Sequence, residues 1–150
     1  VARVVMQEDF WYGDALCFVL ANNRFAETVM RLLERYVPNH IPLTEDYEDW
    51  GVEYTTECDM LQYLQAHPQL NATRHWSEVK ETPDSIMVGA YFLSDGQLIL
   101  SLTVAGNGIV EEQVFLEMKQ LLQSEVGLIS YNYFPKFSNG AEFKTLCDSL

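Results

Sequence analysis

The chain has 150 residues, the size of a single domain with room for a real core. Hydrophobic residues make up 48%, which excludes a disordered chain, and no apolar run reaches the roughly 18 residues needed to span a bilayer. Nine Lys and Arg stand against 22 Asp and Glu, a formal charge of -13. Such a field repels nucleic acid and anionic membrane, and it speeds encounter with a basic partner.

The expected elements run as follows. Residues 2–7 are rich in β-branched side chains and read as a strand, and after a polar turn at Gly13-Asp14 residues 15–20 read as its pairing partner. Asn22-Asn23 is placed to cap a helix over 23–36. Phe25, Val29, Leu32, Leu33 and Tyr36 share its inner face, Glu27, Arg31, Glu34 and Arg35 its outer one, and Pro38 stops it. Periodicity is then lost over 40–55, which reads as a long loop with a short strand at 52–54. Thr56-Glu57-Cys58-Asp59 has the form of a capping box with Asp in place of Glu or Gln, opening a short helix through Met60, Leu61 and Leu64 that ends before Pro68. Residues 69–73 read as a surface connection.

The second half is more regular. Strands at 86–93 and 97–104 join through Ser94-Asp95-Gly96, a hairpin signal, and Leu98, Leu100, Leu102 and Val104 fall on one face. Ala105-Gly106-Asn107-Gly108 breaks the strand. Residues 109–123 form an amphipathic helix with Val110, Val114, Met118, Leu121 and Leu122 inward and Glu111 and Glu112 in its first turn, where they suit the helix dipole. A strand at 127–134 and a short helix at 141–150 complete the chain. The expectation is a single α+β domain, a mainly antiparallel sheet with helices packed on one face.

Cys17, Cys58 and Cys147 are widely spaced and form no CxxC pair, as buried thiols of a reducing compartment would. Val1 to Met6 is too short and too quickly followed by acid to be a signal peptide, so a cytoplasmic location is expected. No Gly-x-Ser-x-Gly elbow and no His-Glu-x-x-His occurs. Cys58, His67 and His75 fit no zinc spacing, and no metal or other cofactor is expected.

The most distinctive segment is 44–59, with seven carboxylates and no Lys or Arg, inside a window free of both from Tyr36 to Thr73. Crowded carboxylates repel one another, a cost that a basic partner relieves. Tyr47, Trp50 and Tyr54 add the rigid apolar area found at interface anchors. Glu45, Asp46, Tyr47, Glu48, Asp49, Trp50, Glu53 and Tyr54 are therefore the candidate partner-binding residues, with a solvated loop as the plain alternative. Asp46, Glu48 and Gly51 do not match calcium-loop spacing. Tyr91, Tyr131 and Tyr133 would line the second sheet face, as a further contact patch, if helices cover only the first.

Gly106-Asn107-Gly108, between a strand and a helix, is placed to cradle a phosphate on backbone N–H groups. The placement is similar to the pyrophosphate loop of the acetyl-coenzyme A N-acetyltransferases. Gly106 and Gly108 match, but Thr103 stands where that family has Arg or Gln, and Glu111 and Glu112 would oppose a phosphate.

In size, acidity, lack of a catalytic motif and possession of an aromatic-carboxylate run, the whole chain resembles the immunity proteins of bacterial toxin systems. Those bind a cognate toxin, often a basic nuclease, and occlude it. The resemblance carries no motif and transfers no residue. It implies a steric and electrostatic mechanism in which carboxylates mimic phosphates and aromatics plug the partner's cleft, without a cofactor. A structural or adaptor domain with solubilising acidity, and an acetyltransferase-like enzyme, are the alternatives.

Overall fold

The computed structural model describes residues 14–43, 54–80, 85–131 and 134–150. In chain order these form β1 (Asp14–Leu20), α1 (Ala26–Tyr36), α2 (Glu57–Ala66), β2 (Ala72–Ser77), β3 (Met87–Phe92), β4 (Leu98–Ala105), α3 (Val110–Leu122), β5 (Gly127–Tyr131) and α4 (Gly140–Asp148). The strands make one antiparallel sheet in the order β2-β3-β4-β1-β5, so the expected α+β domain with a mainly antiparallel sheet is what the chain forms. No helix among the described residues is long and apolar enough to cross a membrane.

Both edges of β1 are taken. Ala15 faces Val104 on β4 and Tyr131 on β5, so β1 does not hairpin with the preceding segment as its position suggested. Residues 2–7 lie outside the described residues. The β3–β4 hairpin turns through Ser94-Asp95-Gly96 as expected, with the Gly96 N–H bonding the Leu93 carbonyl. β2 was not legible as a strand: Ala72, Arg74 and Trp76 point inward while Thr73 and His75 are exposed. An inward arginine breaks the apolar alternation by which a strand is recognised, so only 69–71 remain of the expected connection.

Alternation gives the sheet two faces. Cys17, Val19, Val88, Leu100, Leu102 and Ile129 meet α1, α2 and α3 in the larger core. Phe18, Tyr91, Ile99 and Leu128 meet Phe143 and Cys147 of α4 on the other. The helices over 23–36 and 109–123 thus share one face, as expected, and α4 lies opposite.

In α1 the buried residues are Ala26, Val29, Leu32 and Leu33. Phe25, expected inward, is 51% exposed because it precedes the helix in extended conformation and leaves the 3.6-residue register. The Asn23 side chain does serve the helix start, accepting from the Phe25 N–H and the Thr28 hydroxyl. In α3 the inner face is centred on Val114, Phe115, Met118 and Leu122, and Val110 turns to solvent. Glu111 takes the inward place, where its carboxylate accepts from the loop before the helix.

Arg24 ties these elements together. Its guanidinium is buried, stacks on Phe92, and donates to the carbonyls of Leu64, His67, Leu70, Leu93 and Gln97. Five acceptors from the end of α2, the turn after it and the β3–β4 hairpin thereby share one donor residue, and four of them (all but Leu70) also accept a backbone N–H. Lysine, with a single ammonium, cannot span that set. Arg24→Lys should lower stability by about 1–3 kcal/mol, because the carbonyls lose charged donors and that of Leu70 loses the one it has here. Equilibrium denaturation checks this, and an unchanged midpoint would show the cluster to be dispensable.

The thiols divide in two. Cys17 and Cys147 are buried, and burial, reinforced by the Glu111 and Asp148 carboxylates respectively, pushes both pKa values up to about 12. Cys58, expected to be buried as well, is only half-buried on the first turn of α2. A thiol reagent added to native protein at pH 8 should therefore label Cys58 quickly, and Cys17 and Cys147 only after denaturation. Rapid labelling of all three would contradict this packing.

Candidate docking surface

The Thr56 capping box forms as the spacing predicts. The Asp59 N–H donates to Thr56 Oγ1 at 3.1 Å and the Thr56 N–H to Asp59 Oδ2 at 3.2 Å. Starting α2 at that point turns Glu57 inward. Its Oε1 accepts from the Trp76 indole N–H at 2.6 Å and the Leu43 N–H at 3.0 Å, and its Oε2 lies 2.8 Å from His40 Nε2. His40 Nδ1 in turn lies 2.8 Å from the Val37 carbonyl.

Two of the seven carboxylates of the acidic run are therefore structural. Glu57 is buried with three partners and Asp59 closes a cap, so neither is free to meet a partner. The other five, Glu45, Asp46, Glu48, Asp49 and Glu53, lie outside the described residues together with Tyr47 and Trp50. Of the candidate residues only Tyr54 is described. It belongs to no strand, packs against the larger core, and sets its ring edge-on to Tyr63, 5.9 Å between centroids. Tyr63 stacks on His67 at 4.1 Å. The flanks of the acidic run are thus fixed, Leu43 by Glu57 and Tyr54 by core packing three residues before Glu57.

Beside Leu43 the surface opens into a groove of about 470 Å³ between 41–43 and the end of β2. Trp76 is its floor, and Ile41 and Val79 are 61% and 65% exposed at its rim. Sequence reasoning missed this groove because it assembles from two segments separated by α2, one of them an unrecognised strand.

The other candidates resolve differently. Tyr91 faces α4 and Tyr131 belongs to the larger core on the opposite face, so they form no common patch, and Tyr133 lies outside the described residues. Tyr91 instead joins a polar chain. Its hydroxyl is 3.2 Å from His75 Nε2 and bonded to Ser101, in a row where His75 pairs with Gly89 and Gly89 with Ser101. A Cβ at Gly89 would fall 2.4 Å from Ser101 Oγ and 3.0 Å from the Tyr91 oxygen, so only glycine leaves room for this contact. Burial raises the Tyr91 pKa, with the Ser101 bond opposing, and lowers that of His75. Both hydroxyls are covered.

The 106–108 loop is already filled. The Asn107 and Gly108 N–H groups donate to Glu111 Oε1 at 3.0 and 2.8 Å, while those of Ile109 and Val110 donate to Asn107 Oδ1 at 2.9 Å. Gly108, at φ +91°, supplies the left-handed backbone that aims two successive N–H groups one way. Glu111 stands where a phosphate would. Burial pushes its carboxyl up, but the N–H groups of Glu111, Asn107 and Gly108 and the Tyr131 hydroxyl outweigh that and hold it below its ordinary value.

Compared with known protein families, curated proteins and solved structures, the chain matches none.

Because the Glu111 pKa is lower in the folded state, its stabilisation is full above the unfolded carboxyl pKa and is lost as pH falls through the folded value. Glu111→Ala should cost about 1 kcal/mol at pH 7, by removing the acceptor of the Asn107 and Gly108 N–H groups, and progressively less below pH 4. Denaturation at both pH values checks the sign. Calorimetry of wild-type protein with acetyl-coenzyme A should give no heat beyond dilution, and micromolar binding would overturn the filled-loop reading.

Proposed function

We propose that this protein is a non-catalytic binding protein that occludes a basic partner, in the manner of an immunity protein set against a basic nuclease toxin. The observation that carries this is the run of Glu45, Asp46, Glu48, Asp49 and Glu53 interleaved with Tyr47, Trp50 and Tyr54, in a window without Lys or Arg. Anchoring of its flanks, Leu43 by Glu57 and Tyr54 by core packing, supports the reading, since a run fixed at both ends loses less entropy on binding than a free tail. The Glu111 carboxylate on the 106–108 loop weighs against the acetyltransferase alternative. On this reading the mechanism is charge steering followed by aromatic plugging, in the cytoplasm, with no cofactor, nucleic acid or membrane involved.

The test is capture of the partner from native cells, followed by binding kinetics. Charge reversal at Asp46 and Asp49 should slow association about tenfold at low salt and flatten its dependence on ionic strength. Trp50→Ala should leave association nearly unchanged and raise dissociation roughly tenfold or more. An acidic partner, or variants that bind as the wild type does, would reduce the run to a solvated loop.

A further inference from the structure

We propose that Asn107-Gly108 and Asn139-Gly140 are latent deamidation sites, each held shut by a carboxylate that takes the glycine N–H, Glu111 at the first and Asp95 at the second. Both lie outside the acidic run, and their chemistry does not depend on what that run docks.

These are the two Asn-Gly sequences of the chain, and the fold demands both residues of each pair. Asn107 Oδ1 accepts from the Ile109 and Val110 N–H groups at the start of α3, and Asn139 Oδ1 from the Glu142 N–H at the start of α4. A short side chain with an acceptor oxygen is what such a cap needs. Gly108 has a left-handed φ of +91°, which glycine adopts without strain. A Cβ on Gly140 would fall 2.4 Å from Gln97 Cγ and 2.7 Å from Gln97 Cβ. Capping and backbone space together force a chemically labile dipeptide at two places.

Asn-Gly is labile because no side chain on glycine shields its nitrogen. Once that nitrogen gives its proton to a base from solvent, it attacks the Asn Cγ. The new N–C bond closes a five-membered imide as the Cγ–Nδ2 bond breaks, and Nδ2 takes up a proton and leaves as ammonia. Water then opens either imide carbonyl, leaving Asp or an isoaspartyl linkage, and nothing is oxidised or reduced. Burial does not prevent this at the first site, where Asn107 and Gly108 are both exposed. Hydrogen bonding does. The Gly108 N–H donates to Glu111 Oε1 at 2.8 Å and the Gly140 N–H to Asp95 Oδ2 at 2.9 Å. A proton bonded to a carboxylate is harder to remove, since the anion left on nitrogen would face a second negative charge. The donors around Glu111 hold its carboxyl below the ordinary value, so this guard is charged across the neutral and alkaline range in which cyclisation runs. Ring closure must also pull each carboxamide from its cap. At Asn139 it must further rotate a backbone now at ψ 173° until Cβ eclipses the glycine nitrogen. Failure at Asn107 would set a new carboxylate against Glu111, and an isoaspartyl link at Asn139 would lengthen the α4 cap by a backbone carbon.

The full chain is incubated at mildly alkaline pH, and the two sites are followed separately by peptide mapping and mass spectrometry. Folded wild type should deamidate at both sites at least tenfold more slowly than the same chain in denaturant. Glu111→Ala should accelerate Asn107 roughly tenfold or more and leave Asn139 unchanged, the factor implied by losing one hydrogen bond to a charged group. Asp95→Ala should do the reverse. Asp95 is exposed on the β3–β4 hairpin, so its replacement spares the core. If Glu111→Ala fails to fold, Glu111→Asp withdraws the carboxylate from the loop by one methylene and takes its place in the test. In each variant the distant site is the internal control, because unfolding alone would speed both sites together. Deamidation of folded wild type as fast as in denaturant, equal acceleration of both sites, or no acceleration at the site whose guard is removed would overturn the proposal.

Discussion

Arg24 is the constraint on which the first layer of helices depends. The end of α2 and the β3–β4 hairpin both present carbonyls to the interior, where no water is available to bond them. A guanidinium between them meets both sets, and its positive charge lies at the negative end of the α2 dipole. It stacks on Phe92 rather than pairing with a buried acid, so its charge is offset by oriented dipoles. The docking of α2, and through α2 the position of Glu57, follows from this one residue.

Acidity has two physical roles in this chain. Outward carboxylates make the field, whereas Glu57 and Glu111 are withdrawn from water, the first bonded by N–H donors from distant segments and the second by those of the loop just before it. Both inward glutamates occupy the first turn of a helix, where the dipole favours a negative charge and the helix itself fixes the direction of the side chain. Each uses that position to hold an irregular segment against a regular one. Glu57 holds 40–43 to β2, and Glu111 holds the 106–108 loop to α3. Removing either would leave N–H donors without acceptors, so a count of net charge overstates how much of the acidity is free for recognition.

Elements governed by local chemistry were legible in the sequence. The Thr56 capping box, the Ser94-Asp95-Gly96 hairpin and the apolar faces of α1 and α3 depend on residues within a turn or two of each other, and the structure reproduces them. Most of the failures have their cause in long-range contacts, and that of α3 in a loop three to four residues away. β2 hides because Arg74 is inward, and the register of α3 turns by one residue because Glu111 answers to the loop before it. β1 reads as a hairpin partner for its predecessor, yet it is claimed by strands from the last third of the chain. For the candidate site the composition of the acidic run was plain, and the roles of Glu57 and the Trp76 groove were not, since neither can be inferred without knowing that 40–43 and 76–79 are neighbours.

The central place of β1 has a consequence for how the protein is made. β1 leaves the ribosome well before β4, and β5 follows later still, while both must pair with it to close the sheet. Until β5 has emerged, Cys17, Phe18 and Val19 have no completed sheet to enter, and α1 and α2 have only part of a surface to pack on. Such non-local pairing slows folding and prolongs exposure of an apolar strand. The native topology is therefore fixed only once β5 is available to take the second edge of β1.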